Sequence, residues 1–374
     1  MAFTKYLSIK KSVLFMILGL TVFAIYLYFF IGIPQIMVVL NGINSSRYVF
    51  FYSLALIAVL SSVFFWSAAW NSVLKSLSVN VSNQRAYLYY WVGYFTDLVV
   101  PCATVCGEVT RLYLVQKETQ ENYGALAAAA VTNRVVAYTI VTIGLYVGAA
   151  LILFKPGVPP ILSNIFMIFL IGVTIYYATL LYLAVDKRAA RNLTKLYLIL
   201  LKTFRPKHYR LSNIEETQNS LSDFYIGFQT FREKPKTLIK PAIFHLTSYI
   251  LGLLVYVLVF YAVGIPSITP EFYIVVFFIA TAVQDVSASF SVGSLDILLA
   301  TIFVLYGISP AISGITALLL RSASFWFPLF VGFVCVQFLG ARNILAAKPE
   351  DPKIRAQRTR KKIEETEKSE KMLN

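Results

Sequence analysis

"PCATVCGEVTRLYL", residues 101–114, sets a proline, a glycine, two cysteines, a glutamate and an arginine between apolar flanks. Those flanks, "YLYYWVGYFTDLVV" (87–100) and "GALAAAAVTNRVVAYTIVTIGLYVG" (124–148), have the composition of membrane segments. Proline removes a backbone donor and clashes with the preceding turn of a helix. A charged side chain at the bilayer centre costs about 2.5–3.5 kcal/mol on insertion scales. Interrupted backbone at membrane depth is tolerated only where protein or a cavity covers it. The stretch therefore predicts a broken helix, and the charges at the break mark a covered site.

The rest of the chain agrees with a membrane setting. It has 374 residues, 58% hydrophobic and only 14% charged, with a mean hydropathy of +0.70. A soluble domain would carry about 25% charged residues. Six runs are long enough to span: Ser12–Gly32, Tyr48–Trp70, Gly124–Phe154, Ile161–Val185, Leu238–Gly264 and Ile312–Leu339. The first follows Lys5, Lys10 and Lys11 and is read as a retained anchor. Two further apolar segments, Ser82–Gln116 and Glu271–Gly307, are interrupted near their centres. Each falls short of the roughly 40 residues that two full spans need. The expected fold is an all-α polytopic membrane protein with six full spans and two broken, re-entrant helical hairpins.

The net charge of +15 is placed at loops, and it orients the chain. With the N-terminus in the cytoplasm, the inner segments hold most cations and the outer loops only Arg47 and Lys155, as the positive-inside rule requires. Both termini are expected on the cytoplasmic side of the cell membrane. The basic stretches carry no nucleic-acid-binding motif, so no nucleic-acid partner is expected. The sequon at Asn44 falls outside, and those at Asn80 and Asn192 inside. A cytoplasmic amphipathic loop is expected over 186–237, with a capping box from Ser212 to Glu215, and a basic tail over 341–374. One transmembrane domain over 1–340 holds the rest.

The break occurs twice. Asp97 precedes Glu108 by eleven residues, and Asp285 precedes Asp296 by eleven. Arg134 follows Glu108 by 26, and Arg321 follows Asp296 by 25. Gly107 directly precedes Glu108, and Gly293 lies three before Asp296. Repeat one spans about 48–154 and repeat two about 238–340. Three crossings separate them, so the halves are inverted and the hairpin tips meet near the midplane, the build of many secondary transporters. The hairpin breaks are Pro101, Gly107 and Gly293.

Two readings of the charges stand side by side. Arg134, Arg321 and Arg111 can hold a headgroup phosphate, because the guanidinium fork matches its oxygens. Glu108, Asp296, Asp97 and Asp285 then gate the arginines or carry protons. Alternatively, Glu108 and Asp296 cap their half-helices and each arginine locks a hairpin to the next helix. Arg111 is expected to pair with Glu108, half in the interface. Cys102 and Cys106 are read as small packing residues, His245 as a lone polar packing residue, and "GLYVG" (144–148) as a small-xxx-small contact. No metal-ligand spacing, cofactor motif or catalytic elbow occurs.

With these residues the chain resembles the flippase-like membrane domain of lysylphosphatidylglycerol synthases and their stand-alone relatives. The resemblance rests on "VVPCATVCGEVTRLYLVQKE" and "AAAAVTNRV" in the first half, and on "SVGSLDILLATIFVLYG" and "ITALLLRSASFWFPLFVG" in the second. Asp296 stands where the family's pattern has Glu, and Asn133 and Ala137 replace acids around the arginine. No counterpart of the family's soluble aminoacyl-transfer domain is present in this sequence. The resemblance implies translocation of an anionic lipid or lipid-linked intermediate rather than its synthesis. It implies a membrane phospholipid or lipid-linked substrate as partner, beside a separately encoded lipid-modifying transferase. An integral membrane transferase and a small-solute transporter are the alternatives.

Overall fold

The computed structural model describes residues 41–100, 105–153, 160–185, 226–265, 268–286 and 292–340, with isolated positions 21, 25, 28, 34, 38 and 224. Nearly all of the first apolar run, the break at 101–104 with Pro101 and Cys102, most of the cytoplasmic loop and the basic tail lie outside the described residues. Among the described residues every regular element is helical. Four helices are long and apolar enough to cross a membrane: Ser45–Ser76, Tyr123–Leu151, Pro235–Val263 and Pro310–Phe338. They coincide with four of the expected runs, and a fifth run is helical over Pro160–Val185.

In chain order, α1 is Ser45–Ser76, α2 Asn83–Val99, α3 Val105–Thr119, α4 Tyr123–Leu153 and α5 Pro160–Val185. After a 3₁₀ turn, α6 covers Ile239–Val263, α7 Pro270–Val286 and α8 Ser294–Leu305. The last long helix runs as α9, Pro310–Arg321, a π turn at Ser322–Trp326 and α10, Phe327–Phe338. The starts follow local chemistry. Asn44 Oδ1 accepts the Arg47 N–H at 2.9 Å and caps α1, so the sequon asparagine also serves as a helix cap. Gly264, at φ +100°, ends α6, a conformation that a Cβ would penalise.

Lipid offers no hydrophobic contrast between helices, so small and polar contacts bind them. α1 packs along α6, and Ser62 and Ser248 join them through hydroxyls 2.9 Å apart. Phe260, Phe272 and Phe303 bring α6, α7 and α8 together, with ring centroids 5.1–5.6 Å apart. Gly144 of "GLYVG" makes room for a ring: a Cβ there would meet the Phe278 side chain of α7.

The two interrupted segments form antiparallel helix pairs. In α2/α3, Arg85 Nη1 meets Glu118 Oε1 at 2.7 Å at the open end, while Asp97 meets the Gly107 N–H at the break. In α7/α8, Phe272 lies against Tyr306 at the open end, with centroids 4.8 Å apart. These helices have 17, 15, 17 and 12 residues. At about 1.5 Å per residue each is shorter than the hydrocarbon core of about 30 Å.

Candidate functional site

The site is built at the break between α2 and α3. The first N–H groups of a helix have no partner within it, and negative charge is favoured there. Gly107, the third residue of α3, donates its N–H to Asp97 Oδ1 at 2.7 Å. Asp97, reaching across from the last turn of α2, therefore meets the N-terminus of α3, where the sequence placed Glu108. The reason is tertiary: the hairpin brings Asp97 over that end, and Glu108, one residue further on, turns toward the arginines.

Arg111 is the centre of the cluster. Its Nη2 lies 3.2 Å from Asp97 Oδ2 and 3.4 Å from Glu108 Oε2. Its Nε donates to the Gly107 carbonyl at 3.1 Å, and its guanidinium carbon stands 4.4 Å from the centroid of the Tyr90 ring. The pairing with Glu108 agrees with the sequence, and Arg111 is buried within the protein, only 4% exposed. Two glycines make the space. A Cβ on Gly93 would meet Arg111 and the Gly107 carbonyl, and one on Gly107 would meet the Asp97 carboxylate and the Gly93 carbonyl. α2 and α3 thus approach closely enough for Arg111 to lie in their seam.

Arg134 reaches the same cluster from α4. Its Nη2 is 3.7 Å from Glu108 Oε2, and its side chain is 19% exposed against 5% for Arg111. Glu108 is loosely seated. Its ion pairs with the two arginines are long, at 3.4 and 3.7 Å, and Oε1 is buried with no hydrogen-bond partner. Two guanidinia and two carboxylates sum to zero charge. All four line a cavity of about 230 Å³ whose walls include Trp66, Tyr90, Tyr94, Tyr138 and Tyr256.

The second half holds a different arrangement. Gly293, at φ +83°, caps α8, and its N–H donates to Asp296 Oδ2 at 2.8 Å. Asp296 caps its own helix, as one sequence reading had it, and Arg321 Nε lies 3.7 Å from its Oδ1. The Arg321 guanidinium carbon packs 4.4 Å from the centroid of the Phe325 ring. These side chains are 3% and 1% exposed, and neither lines the cavity. Asp285 lies in the last turn of α7, with its side chain outside the described set. The matched spacing thus leads to unmatched surroundings, with Arg134 on the cavity and Arg321 sealed.

Three features were not legible in advance. Gly93 gave one signal, its place four residues before Asp97 on the same helix face. His245 is paired, since its Nε2 lies 2.9 Å from Asn133 Oδ1 and its ring centroid 4.3 Å from that of Trp66. Cys106 is disulfide-bonded rather than a simple packing residue, and Cys335 is a free thiol. A disulfide needs its Cα atoms within about 7 Å, a condition that folding decides and composition does not. Among the described residues no group of three histidine, cysteine or acidic side chains could hold a metal.

Comparison with known proteins finds relatives among membrane proteins. The family model described as the lysylphosphatidylglycerol synthase TM region matches residues 16–332. A UPF0104 membrane protein of Methanocaldococcus jannaschii is 25% identical over 340 residues, covering 87% of this chain and 94% of the relative. One from Pyrococcus horikoshii is 24% identical, covering 76% and 86%. One from Methanothermobacter thermautotrophicus is 21% identical, covering 73% and 80%. No solved structure matches the chain.

Proposed function

We propose, since the chain belongs to the family of the lysylphosphatidylglycerol synthase TM region, that its cavity receives the phosphate-bearing headgroup of an anionic lipid or lipid-linked intermediate and passes it across the bilayer. The observation that carries this reading is the seat of Arg134. It is the more open of the two arginines on the cavity, 19% exposed against 5%, and its Nη2 lies 3.7 Å from the Glu108 carboxylate. An entering phosphate can displace that carboxylate and take the guanidinium fork. Arg111 stays bound to Asp97 and keeps the site positive at short range. The aromatic walls exclude water, which strengthens each charge contact, while the acyl tails remain in lipid.

On this reading the α2/α3 and α7/α8 pairs are re-entrant hairpins of inverted repeats, both termini face the cytoplasm, and the protein is a transporter rather than an enzyme. A separately encoded lipid-modifying transferase would supply or consume its lipid. The Arg321–Asp296 pair serves as the lock of the second half.

The test is translocation in proteoliposomes. A phosphatidylglycerol labelled on its acyl chain is reduced from outside by dithionite. Transport raises the reduced fraction from the outer leaflet's share to nearly all of the label. Arg134→Lys, which keeps charge but not the fork, should slow it strongly. Full transport by Arg134→Lys would end the phosphate reading.

A further inference from the structure

The pair formed by Asn133 and His245 has no part in the charge cluster, yet it borders the same cavity. Asn133 precedes Arg134 in α4, lines the cavity, and is 2% exposed. Its Oδ1 lies 2.9 Å from His245 Nε2 of α6. His245 is wholly buried behind it, wedged edge-on against Trp66, and its Nδ1 has no hydrogen-bond partner.

That last fact orients the amide. A neutral imidazole has one N–H and one bare lone pair. With the proton on Nδ1, a buried donor would be orphaned, which is rarer in proteins than an orphaned acceptor. With the proton on Nε2, the N–H donates to Asn133 Oδ1 and only a lone pair goes unmet. The Asn133 amide is then fixed with its oxygen toward His245. With Oδ1 engaged by His245, Nδ2 is the polar atom that Asn133 has left to offer the cavity it lines. Trp66 packs on the imidazole and prevents the ring from turning away.

We infer that Asn133 is a specificity-determining donor that presents its Nδ2 to an oxyanion held on Arg134, and that His245 is the residue that positions it. The inference rests on the headgroup reading of the cavity and adds to it a neutral donor beside the arginine. A carboxylate at the same place would accept from His245 equally well but turn a negative oxygen toward the phosphate. Added to the formal zero of the four-residue cluster, it would bring the sum around the cavity to −1. Asn133 thus selects for a negatively charged group, and an acid there would select against it.

The experiment titrates purified full-length protein in detergent by calorimetry, once with dioctanoyl-phosphatidylglycerol and once with inorganic phosphate. Melting is measured for each variant beside the titrations. Asn133→Asp should weaken binding by about tenfold or more and Asn133→Ala by less, the scale of one charge-assisted hydrogen bond. His245→Gln retains an N–H donor near Nε2 and should bind like wild type. His245→Leu should weaken binding about as much as Asn133→Ala. A purely structural role would lower the melting temperature of both His245 variants and leave the affinity of the folded protein unchanged. Wild-type protein that binds neither probe would overturn the headgroup reading and this inference with it. Binding of phosphatidylglycerol alone assigns the site to a lipid headgroup, and equal binding of inorganic phosphate assigns it to the free ion. Wild-type affinity in both Asn133 variants would overturn the inference alone. Equal affinity of His245→Gln and His245→Leu would remove His245 from it.

Discussion

Arg111→Met tests whether the α2/α3 seam is held by its buried ion cluster. Methionine keeps much of the stem and removes the guanidinium. Asp97 would keep its Gly107 N–H but lose Nη2 at 3.2 Å. Glu108 would lose its nearer cation, at 3.4 Å, and retain only Arg134, at 3.7 Å. Removing one partner of a buried pair costs about 3–5 kcal/mol, because the other charge is left uncompensated. The loss of the contact with Tyr90 adds to this, by up to about 2 kcal/mol in a desolvated setting. Native proteins hold only about 5–15 kcal/mol in all, so a large drop in melting temperature is expected. The assay is thermal unfolding in detergent, followed by reaction of a thiol dye with the free Cys335. The double variant Asp97→Asn/Arg111→Met removes the stranded charge while leaving an amide oxygen for Gly107. It should recover about 1–3 kcal/mol of the single variant's loss, a coupling within the range seen for residues in contact. The reasoning is refuted if Arg111→Met melts with wild type, or if the double variant melts no higher than the single one.

Gly107→Ala should destabilise the hairpin by about 1–3 kcal/mol, the usual penalty of overpacking, because the added Cβ meets Asp97 and Gly93. Melting of the purified variant checks it, and an unchanged midpoint would show that the seam has slack. Arg321→Lys should lower the melting temperature yet leave lipid translocation per folded protein near wild type, since Arg321 does not line the cavity, whereas Arg134→Lys should do the reverse. Measuring both quantities on both variants decides, and equal transport loss would place Arg321 in the path. Cysteines introduced at Asn44 and His208 should label from outside and inside respectively, and outside labelling at position 208 would sink the assigned topology.

Much of the molecule was legible because helix formation and membrane partition are local. The runs Tyr48–Trp70, Gly124–Phe154, Leu238–Gly264 and Ile312–Leu339 each name a long apolar helix from hydropathy alone, and each is present. The start of α8 was legible too, since Gly293 three residues before Asp296 is the spacing of a cap and its N3 partner, and the cap is formed. The contacts between arginine and acid were foreseen as pairs, because buried cations need partners and few were available.

What the chain's order could not decide is which carboxylate does which task. Glu108 and Asp296 occupy equivalent places in the spacing pattern of the sequence, yet Asp296 caps its own helix while Asp97, across the helix pair, takes that part for α3. The local signals are nearly the same. The outcome turns on how closely α2 and α3 approach, which Gly93 and Gly107 set through space. In the same way, sequence by itself placed two arginines at matched positions in apolar helices and called for partners for both. Only the packing around them sealed Arg321 against Phe325 and opened Arg134 to the cavity. It also joined Asn133 to a histidine 112 residues away. Hydropathy and capping act within a few residues of the chain, whereas exposure to a cavity depends on neighbours that only folding brings together.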